Sequence, residues 1–549
     1  MSIKKQMFYV ILLVLTIVSC QNQRESSSTI SVKLFDEQNK LTAARVRFTD
    51  MEGNYIAPIN QQADFPVTNA NIPESKEQGA VMDNDRRFAY VDEQFDITLP
   101  VDSVRIEVVK GFHYKIYDDT LAISQVGEKL DIQLKKWFKP PEDNWFTGDV
   151  HVHHIDPEMA LLEMKAEDVN VCNLLISDFT TDHENFRGEI EPESDPEHII
   201  YYGQEYREYN LGHVNLLNLK GKLIEPSKGD RGYQYPLNLS ASDEVRKNNG
   251  HISWAHFAAW PGLEGPLALV LKKVDAVELL CTIDPFHEPI FASDVVPEIK
   301  MNSGLRLWYR LLNCGLNIPL SAGTDKMNNQ VTVEANRVYA QVEEDFTYDN
   351  WINAINQGKT FISNSPFISF KVDDQGPGSI IDASGKRSYK ITVEVWSQFP
   401  IDRLEIVVNG ELLAEKAIAA GESHAQLEAT YSTEKSVWLA ARAYQFSRQY
   451  TKEGLSLSQR RDAGGGSTIF NQYFGTLRPE TIFAHTSPVY LMVDDQPVKS
   501  LADANYFVRY LDNSIKWLEE SGSFPSETAK QEVLNTFREG REVFAELGR

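Results

Sequence analysis

The sequence predicts a multidomain protein in which an α/β block is flanked by two all-β blocks. The chain has 549 residues, of which 42% are hydrophobic, so it is long enough for roughly three to four domains. Apolar residues alternate with a period of two towards both ends, which is typical of half-buried strands, whereas short apolar runs alternate with helical patterns in the middle. This order favours β-sandwiches on either side of an α/β sheet or barrel.

Composition excludes several classes of function. Lys and Arg number 54 against 79 Asp and Glu, which gives a net charge of −25 at pH 7. A protein this acidic lacks the basic surface that binds nucleic acid or adheres to anionic lipid. The 4 cysteines are too few for a scaffold held by disulfides.

Residues 1–19 predict a signal peptide. Lys4 and Lys5 precede an apolar run over 8–18, which as a helix would be about 16 Å long and too short for the ~30 Å hydrocarbon core. The stretch Ile17-Val-Ser-Cys20 resembles a bacterial lipobox; the alternative is an ordinary signal peptide with a chance cysteine. Residues 20–28 then form a polar tether. We therefore expect an exported bacterial cell-envelope lipoprotein, periplasmic or at the cell surface, anchored by acyl chains on Cys20.

This anchor gives the first testable prediction. The Cys20→Ala variant lacks the thiol that is acylated, so we expect it to move from the membrane fraction to the soluble fraction. Fractionation followed by immunoblotting measures the change. A variant that stays with the membrane would show that the anchor is assigned wrongly.

The first predicted domain, residues 29–136, is a β-sandwich. Val104, Ile106 and Val108 alternate with polar residues, and turn residues separate such segments. The second, residues 138–370, is the α/β block: apolar strands over 171–176 and 274–280 alternate with helical patterns.

The third predicted domain, residues 371–495, is another β-sandwich, followed by a helical tail over 500–549. Ile391, Val393 and Val395 alternate, and Asn409-Gly410 is a strong signal for a type I′ hairpin turn. In the tail, aromatic and aliphatic residues recur at helical spacing, and Ser526 is placed to cap a second helix.

The residues with chemical potential are concentrated in the α/β block. Nine of the 12 histidines fall between His151 and His287. On a strand, His151 and His153 would face the same side and present two imidazoles to one metal ion. A single pair at this spacing arises readily by chance, so the pair needs other ligands beside it.

Other metal-competent side chains stand at the ends of predicted strands: Asp178 with His183 shortly after it, Glu205, His213, His256 and Asp325. In α/β folds the carboxyl ends of parallel strands meet on one face, and that face builds the active site. The alternative, unrelated capping residues, explains each residue alone but not the set. Arg207 lies two residues after Glu205 and would point to the same side, either to hold an anionic group or to pair with a surface acid such as Glu208.

The block resembles a known family over about residues 143–378. The matching stretches are Gly148-Asp-Val-His-Val-His153, Tyr202-Gly-Gln-Glu-Tyr-Arg207, Gly212-His-Val-Asn-Leu-Leu217, Ala255-His256, Val274-Asp-Ala-Val-Glu278, Gly323-Thr-Asp325 and the segments 308–315 and 358–366. In this order they resemble the PHP (polymerase and histidinol phosphatase) metallohydrolases, and within them the CehA/McbA-like group.

The resemblance implies a distorted PHP-type (β/α) barrel that binds one or two divalent ions (Zn, Mn or Fe). It assigns as metal ligands His151, His153, Glu205 (bridging), His213, His256 and Asp325. Two departures argue against three metals. Ser177-Asp178-Phe179 lacks the histidine that often follows the aspartate, unless His183 replaces it, and Asp325 is followed by Lys326 and Met327 instead of by a histidine two residues on.

Two functions follow as hypotheses. The first is a lipid-anchored hydrolase that uses metal-activated water on a small-molecule or oligomeric phosphoester, or on a carboxyl or carbamate ester, with Asp325 and Arg207 as catalytic residues. The second is an inactive envelope binding or scaffold protein with a degenerate PHP domain. The complete set of candidate ligands favours the enzyme. Nucleic acid is not expected as a partner, and the membrane is expected only through the lipid anchor.

Overall fold

The computed structural model describes residues 27–548 except for 60–79, 83–85, 101, 143, 179, 181–182, 226–231, 282–284, 287–294, 297–301, 328–330, 334, 386–387 and 446–481. The predicted signal peptide, the predicted lipidation site Cys20 and most of the predicted tether lie outside the described residues. The description below is limited to these ranges.

The N-terminal part of the chain is all-β and forms two sheets. Its strands are β1 (Ser27–Phe35), β2 (Ala44–Thr49), β3 (Tyr55–Ile56), β4 (Ala80–Met82), β5 (Arg86–Val91), β6 (Gln94–Pro100), β7 (Ser103–Val109), β8 (Tyr117–Ala122) and β9 (Lys129–Gln133). One sheet has the order β6-β1-β9 and the other β4-β5-β2-β7-β8, with β3 beside β2. Alternate residues such as Val32, Val46 and Ile106 are fully buried in one core that both sheets share, because successive side chains of a strand point to opposite faces.

The middle of the chain alternates strands and helices. Its strands are β10 (Trp145–Val152), β11 (Val171–Ile176), β12 (Ile199–Glu208), β13 (Gly212–Leu217), β14 (His251–Trp254), β15 (Ala276–Leu280), β16 (Leu320–Ala322), β17 (Arg337–Gln341) and β18 (Thr360–Ser363). The helices are α1 (Pro157–Glu167), α2 (Ser242–Arg246), α3 (Gly265–Val270), α4 (Gly304–Asn313) and α5 (Tyr348–Asn356). Strands β10, β11 and β12 are parallel, as are β14, β15 and β16, whereas β13 runs antiparallel to both of its neighbours.

The sheet formed by β10 to β16 is strongly curled. Its end strand β16 returns to β10, where a parallel bridge joins Val152 to Lys326 and the N–H of His153 donates to the Lys326 carbonyl at 2.9 Å. Because β13 is antiparallel, its first residues lie at the same edge as the last residues of the parallel strands. The curl therefore gathers the ends of β10, β12, β14 and β16 and the start of β13.

The C-terminal strands extend the same sheet and add a second one. They are β19 (Phe367–Val372), β20 (Ile380–Asp382), β21 (Ser388–Trp396), β22 (Arg403–Val408), β23 (Glu411–Ala417), β24 (His424–Ser432), β25 (Val437–Gln445), β26 (Ile482–Thr486) and β27 (Val489–Met492). β18 pairs with β26, so the sheet runs on through β25 and β22 to β23, while β19, β21 and β24 form a separate sheet packed on it. Asn409 and Gly410 turn β22 into β23 with φ of 51° and 84°, which confirms the hairpin signal.

Two long helices end the chain and cover the α/β part. Ser500 and Ser526 cap α6 (Leu501–Ser521) and α7 (Glu527–Leu547), each side-chain oxygen accepting a backbone N–H from three residues on. Phe507, Phe537 and Phe544 are fully buried in the same core as the curled sheet. The tail thus shields apolar surface of the α/β part.

The described part of the chain is mostly β, with seven α-helices. This composition agrees with the predicted combination of α/β and all-β parts. None of the described helices is long and apolar enough to cross a membrane.

Candidate metal centre

His151 and His153 present their imidazoles to the same buried space at the end of β10. His151 Nδ1 lies 3.1 Å from Glu278 Oε2, and His153 Nδ1 lies 2.8 Å from the carbonyl oxygen of Leu175. A carbonyl oxygen only accepts, so His153 Nδ1 carries the proton and its Nε2 carries the lone pair. The carboxylate beside His151 fixes the same tautomer, and such partners are what orient imidazoles that bind metals.

The two lone-pair nitrogens face each other. His151 Nε2 and His153 Nε2 are 3.0 Å apart, and both side chains are fully buried. Two acceptors at this distance require a proton or a cation between them. Binding of a metal here would therefore release a proton, as is usual for imidazole ligands.

Glu205, His213 and His256 form a second cluster beside the first. His213 Nδ1 lies 2.9 Å from Glu205 Oε1 and 3.0 Å from His256 Nε2, and the latter is 3.6 Å from the same carboxylate oxygen. The remaining ring nitrogens, His213 Nε2 and His256 Nδ1, are buried and have no hydrogen-bond partner among the residues that the structure describes. His256 also has a backbone φ of 33°, in the region that non-glycine residues rarely adopt.

Glu205 connects the two clusters. Its Oε2 lies 3.5 Å from His153 Nε2, while its Oε1 faces His213 and His256. In a tetrahedral zinc site, ligand bonds of 2.0–2.1 Å separate the ligand atoms by roughly 3.3 Å, close to the distances seen in both clusters. The two groups His151–His153–Glu205 and Glu205–His213–His256 thus offer two candidate cation positions that share one carboxylate.

Asp325 closes the first cluster from the solvent side. Its Oδ1 is 3.4 Å from His151 Nε2 and 3.7 Å from His153 Nε2. The side chain is 18% exposed, whereas those of the five other candidate ligands are at most 7% exposed. Its backbone is left-handed, with φ of 51°, and such strain persists at a site only where the surroundings hold it in place.

Charge and burial set the protonation of the cluster. Burial acts to lower the pKa of His151, but the carboxylates of Glu278 and Asp325 together act more strongly and raise it to about 10. Burial lowers the pKa of His213 to about 3 against the opposing effect of Glu205. Burial also raises the pKa of Asp325, although His151 and His256 oppose the shift. The cluster thus holds neutral imidazoles beside the protonated imidazole of His151. A bound cation would displace the proton of His151.

Glu278 is a residue of the site to which the sequence analysis gave no role. It lies on β15 and is fully buried; its Oε2 accepts the His256 N–H at 2.6 Å as well as facing His151 Nδ1. A side chain at Gly323 would overlap Glu278 Oε1 and approach His151 Cβ within 2.7 Å, so only glycine fits there. The signal was present in the sequence, since an acid between the apolar residues of 276–280 is unusual for a buried strand.

We expect Glu278→Gln to weaken metal binding by about 10–100-fold, the usual cost of losing a partner that orients a ligand. The amide removes the negative charge that fixes the His151 tautomer but keeps an oxygen for the His256 N–H. Titration with Zn²⁺ or Mn²⁺ against a competing chelator measures the change. An unchanged affinity would show that Glu278 does not orient His151.

Arg207 and Asp178 lie at the exposed rim of the cluster. Arg207 Nε is 3.2 Å from Asp178 Oδ1, and an Arg207 terminal nitrogen is 3.9 Å from Glu205 Oε2. Arg207 therefore lies on the same side as Glu205, and the carboxylate it pairs with is that of Asp178, not that of Glu208. Glu208 instead accepts the backbone N–H groups of 210 and 211.

His183 and Asp178 are outside the two groups described above. His183 lies in a short 3₁₀ turn, His183–Asn185, and is partly exposed. Within the described residues, neither side chain belongs to a group of three buried side chains whose ligand atoms all lie within 4.8 Å of one another. Asp178 is connected to the centre through Ser177, whose hydroxyl lies 3.2 Å from Asp178 Oδ1 and 3.1 Å from Glu205 Oε2.

Trp260 forms an aromatic wall on the second cluster. Its ring stacks on His213 with centroids 5.5 Å apart, and its indole N–H donates to the Tyr209 carbonyl at 3.2 Å. The Tyr209 ring packs edge-on against it and is 55% exposed. The two rings thus form an aromatic pair that packs on His213.

Comparisons with known proteins add little. No family model matches the chain, and no curated protein matches it. Among solved structures, a glycosyl hydrolase family 2 member from Bacteroides cellulosilyticus DSM 14838 aligns with 76% of this chain at 11% identity and a TM-score of 0.16. The chain spans 58% of that protein. A similarity of this size carries no argument about fold or activity.

Proposed function

We propose that this protein is a metal-dependent hydrolase of the PHP type, in the CehA/McbA-like group, with the curled sheet as a distorted (β/α) barrel. The observation that carries the proposal is the pair of buried ligand groups that share Glu205. Six side chains from five separate segments of the chain (His151, His153, Glu205, His213, His256 and Asp325) converge there. Unrelated capping residues would not be expected to bring their ligand atoms together at 2.9–3.8 Å.

These residues suit one or two divalent ions such as Zn, Mn or Fe. Imidazole and carboxylate are the ligands such ions take, and a carboxylate with two oxygens can serve two ions. When bound, a divalent cation supplies Lewis acidity that lowers the pKa of a water molecule towards about 7.

The side chains at the rim would carry the remaining chemistry. Asp325 is the most solvent-exposed of the acids within reach of His151, so its carboxylate can accept a proton from the attacking water. Arg207 offers its guanidinium to an anionic oxygen of the substrate, while Asp178 holds it in place. Glu278 and the Leu175 carbonyl keep the imidazoles of His151 and His153 in orientation.

The substrate that this rim suits is a phosphoester or a carboxyl or carbamate ester, on a small molecule or an oligomer. We propose that the enzyme acts in the bacterial cell envelope as an exported lipoprotein, attached through Cys20. The β parts and the helical tail would position and cover the α/β part.

Metal analysis followed by a substrate screen tests the function. We expect the purified protein to contain one or two equivalents of a divalent metal by elemental analysis. It should hydrolyse members of a panel of phosphate, carboxyl and carbamate esters, and a chelator should abolish turnover. Protein that neither contains nor binds a divalent metal would contradict the proposal.

A further inference from the structure

A buried ion pair lies directly behind the metal centre. Lys326 follows Asp325, and its Nζ is 3.3 Å from Glu163 Oε1; the two side chains are 2% and 0% exposed. The ammonium also donates to the Val331 carbonyl, and Glu163 Oε2 accepts the Val333 N–H at 3.0 Å. The pair therefore connects helix α1 to the segment on both sides of residues 328–330.

The same lysine contacts the strand that carries His151 and His153. Its carbonyl accepts the His153 N–H at 2.9 Å, and its backbone bridges to Val152. Lys326 thus joins Asp325, His153 and helix α1 through three different groups: its peptide bond, its carbonyl and its ammonium. Movement of its side chain would be transmitted to two candidate ligands at once.

Helix α1 is itself fixed by a second carboxylate one turn further on. Glu167 Oε1 accepts from the Tyr90 hydroxyl at 2.9 Å and lies 3.1 Å from Arg45 Nε, both in the N-terminal sheets. Residues four apart on a helix lie on the same side, so one face of α1 contacts both the N-terminal part and the loop after β16. The helix that pairs with Lys326 is therefore itself held by contacts with the N-terminal sheets.

We propose that the Glu163–Lys326 pair is a positioning device that holds Asp325 and His153 in the arrangement that binds metal. A buried ion pair is a poor source of net stability, because desolvation of the two charges offsets their attraction. Geometry explains why the pair is found at this position. Asp325 has a left-handed backbone, and the next residue, Lys326, contacts Glu163, the Val331 carbonyl and the His153 N–H. This inference rests on the proposed function, since it concerns the same metal centre.

Three variants test it: Glu163→Gln, Lys326→Met and the double variant. Each single change leaves one buried charge unpaired and should lower the melting temperature of the metal-free protein, whereas the double change removes both charges and should restore much of it. We expect metal affinity to behave differently. All three variants should bind Zn²⁺ or Mn²⁺ about 10–100-fold more weakly than the wild type, measured by chelator competition well below the melting temperature.

Arg442→Met is the matched control, because it breaks the pair Arg442–Glu405, which is 16% and 6% exposed and lies in the C-terminal sheet. It should lower the melting temperature and leave metal affinity unchanged. A double variant that folds and binds metal as tightly as the wild type would overturn the positioning role alone. A wild-type protein without metal affinity would overturn the proposed function, and this inference with it.

Discussion

Replacing His151 and His153 together with alanine should remove the bound metal and abolish hydrolysis. Both imidazoles belong to the first ligand group, and their Nε2 atoms are 3.0 Å apart. Metal affinity should fall by more than the ~10–100-fold that follows removal of a residue that only orients a ligand. Elemental analysis of the purified variant, and its turnover of the best ester found in the screen, measure the two effects.

The control is a double variant of two histidines outside the centre, His198→Ala with His424→Ala. His198 pairs with Asp195, and His424 lies on β24 near Glu394. This variant should keep its metal and its activity. Circular dichroism should show that both double variants retain the β-rich fold, because the N-terminal and C-terminal cores do not contain these residues. Full metal content in the His151 and His153 variant would refute the assignment of the centre.

Periodicity predicted several of the strands, because alternating burial is a local property of a strand. Val104, Ile106 and Val108 were predicted to face inwards, and all three are fully buried. The continuity of the middle sheet with the C-terminal strands was not predictable in this way. β18 pairs with β26, more than a hundred residues later, and no local pattern specifies such a long-range partner.

The candidate ligands could be predicted from the residue types at strand ends. How they come together could not, because that depends on the direction of each strand. His213 opens a strand, yet it meets Glu205 because β13 runs antiparallel to β12, with Arg207 opposite His213. Glu278 received no role because it lies within an apolar strand and acts through another side chain. Lys326 was noted only as a departure from the family pattern, since its contact with Glu163 depends on packing between α1 and the loop after β16.

Asp325→Asn should lower kcat by about 10²–10⁴-fold, the usual cost of losing a general base. Asparagine keeps the shape of the side chain but cannot take a proton at neutral pH. The left-handed backbone at this position also favours the exchange, because asparagine tolerates that conformation better than most residues. The carboxylate lies 3.4 Å from His151 Nε2, so a loss of metal affinity should accompany the loss of rate.

A pH–rate profile separates the two contributions. In the wild type with saturating metal, kcat should fall as the pH is lowered, because a protonated Asp325 no longer accepts the proton of the attacking water. Burial raises the pKa of this carboxyl in the metal-free protein, whereas a neighbouring divalent cation would lower it, so the position of the acidic limb is measured with metal bound. The asparagine variant, measured at saturating metal, should lose the limb that comes from Asp325 and keep only the pH dependence that comes from ionisation of the water itself. Asp349→Asn, which alters an aspartate whose side chain is 69% exposed, should reproduce the wild-type profile. If Asp325→Asn also matched the wild type in rate and in profile, Asp325 would have no part in the proton transfer.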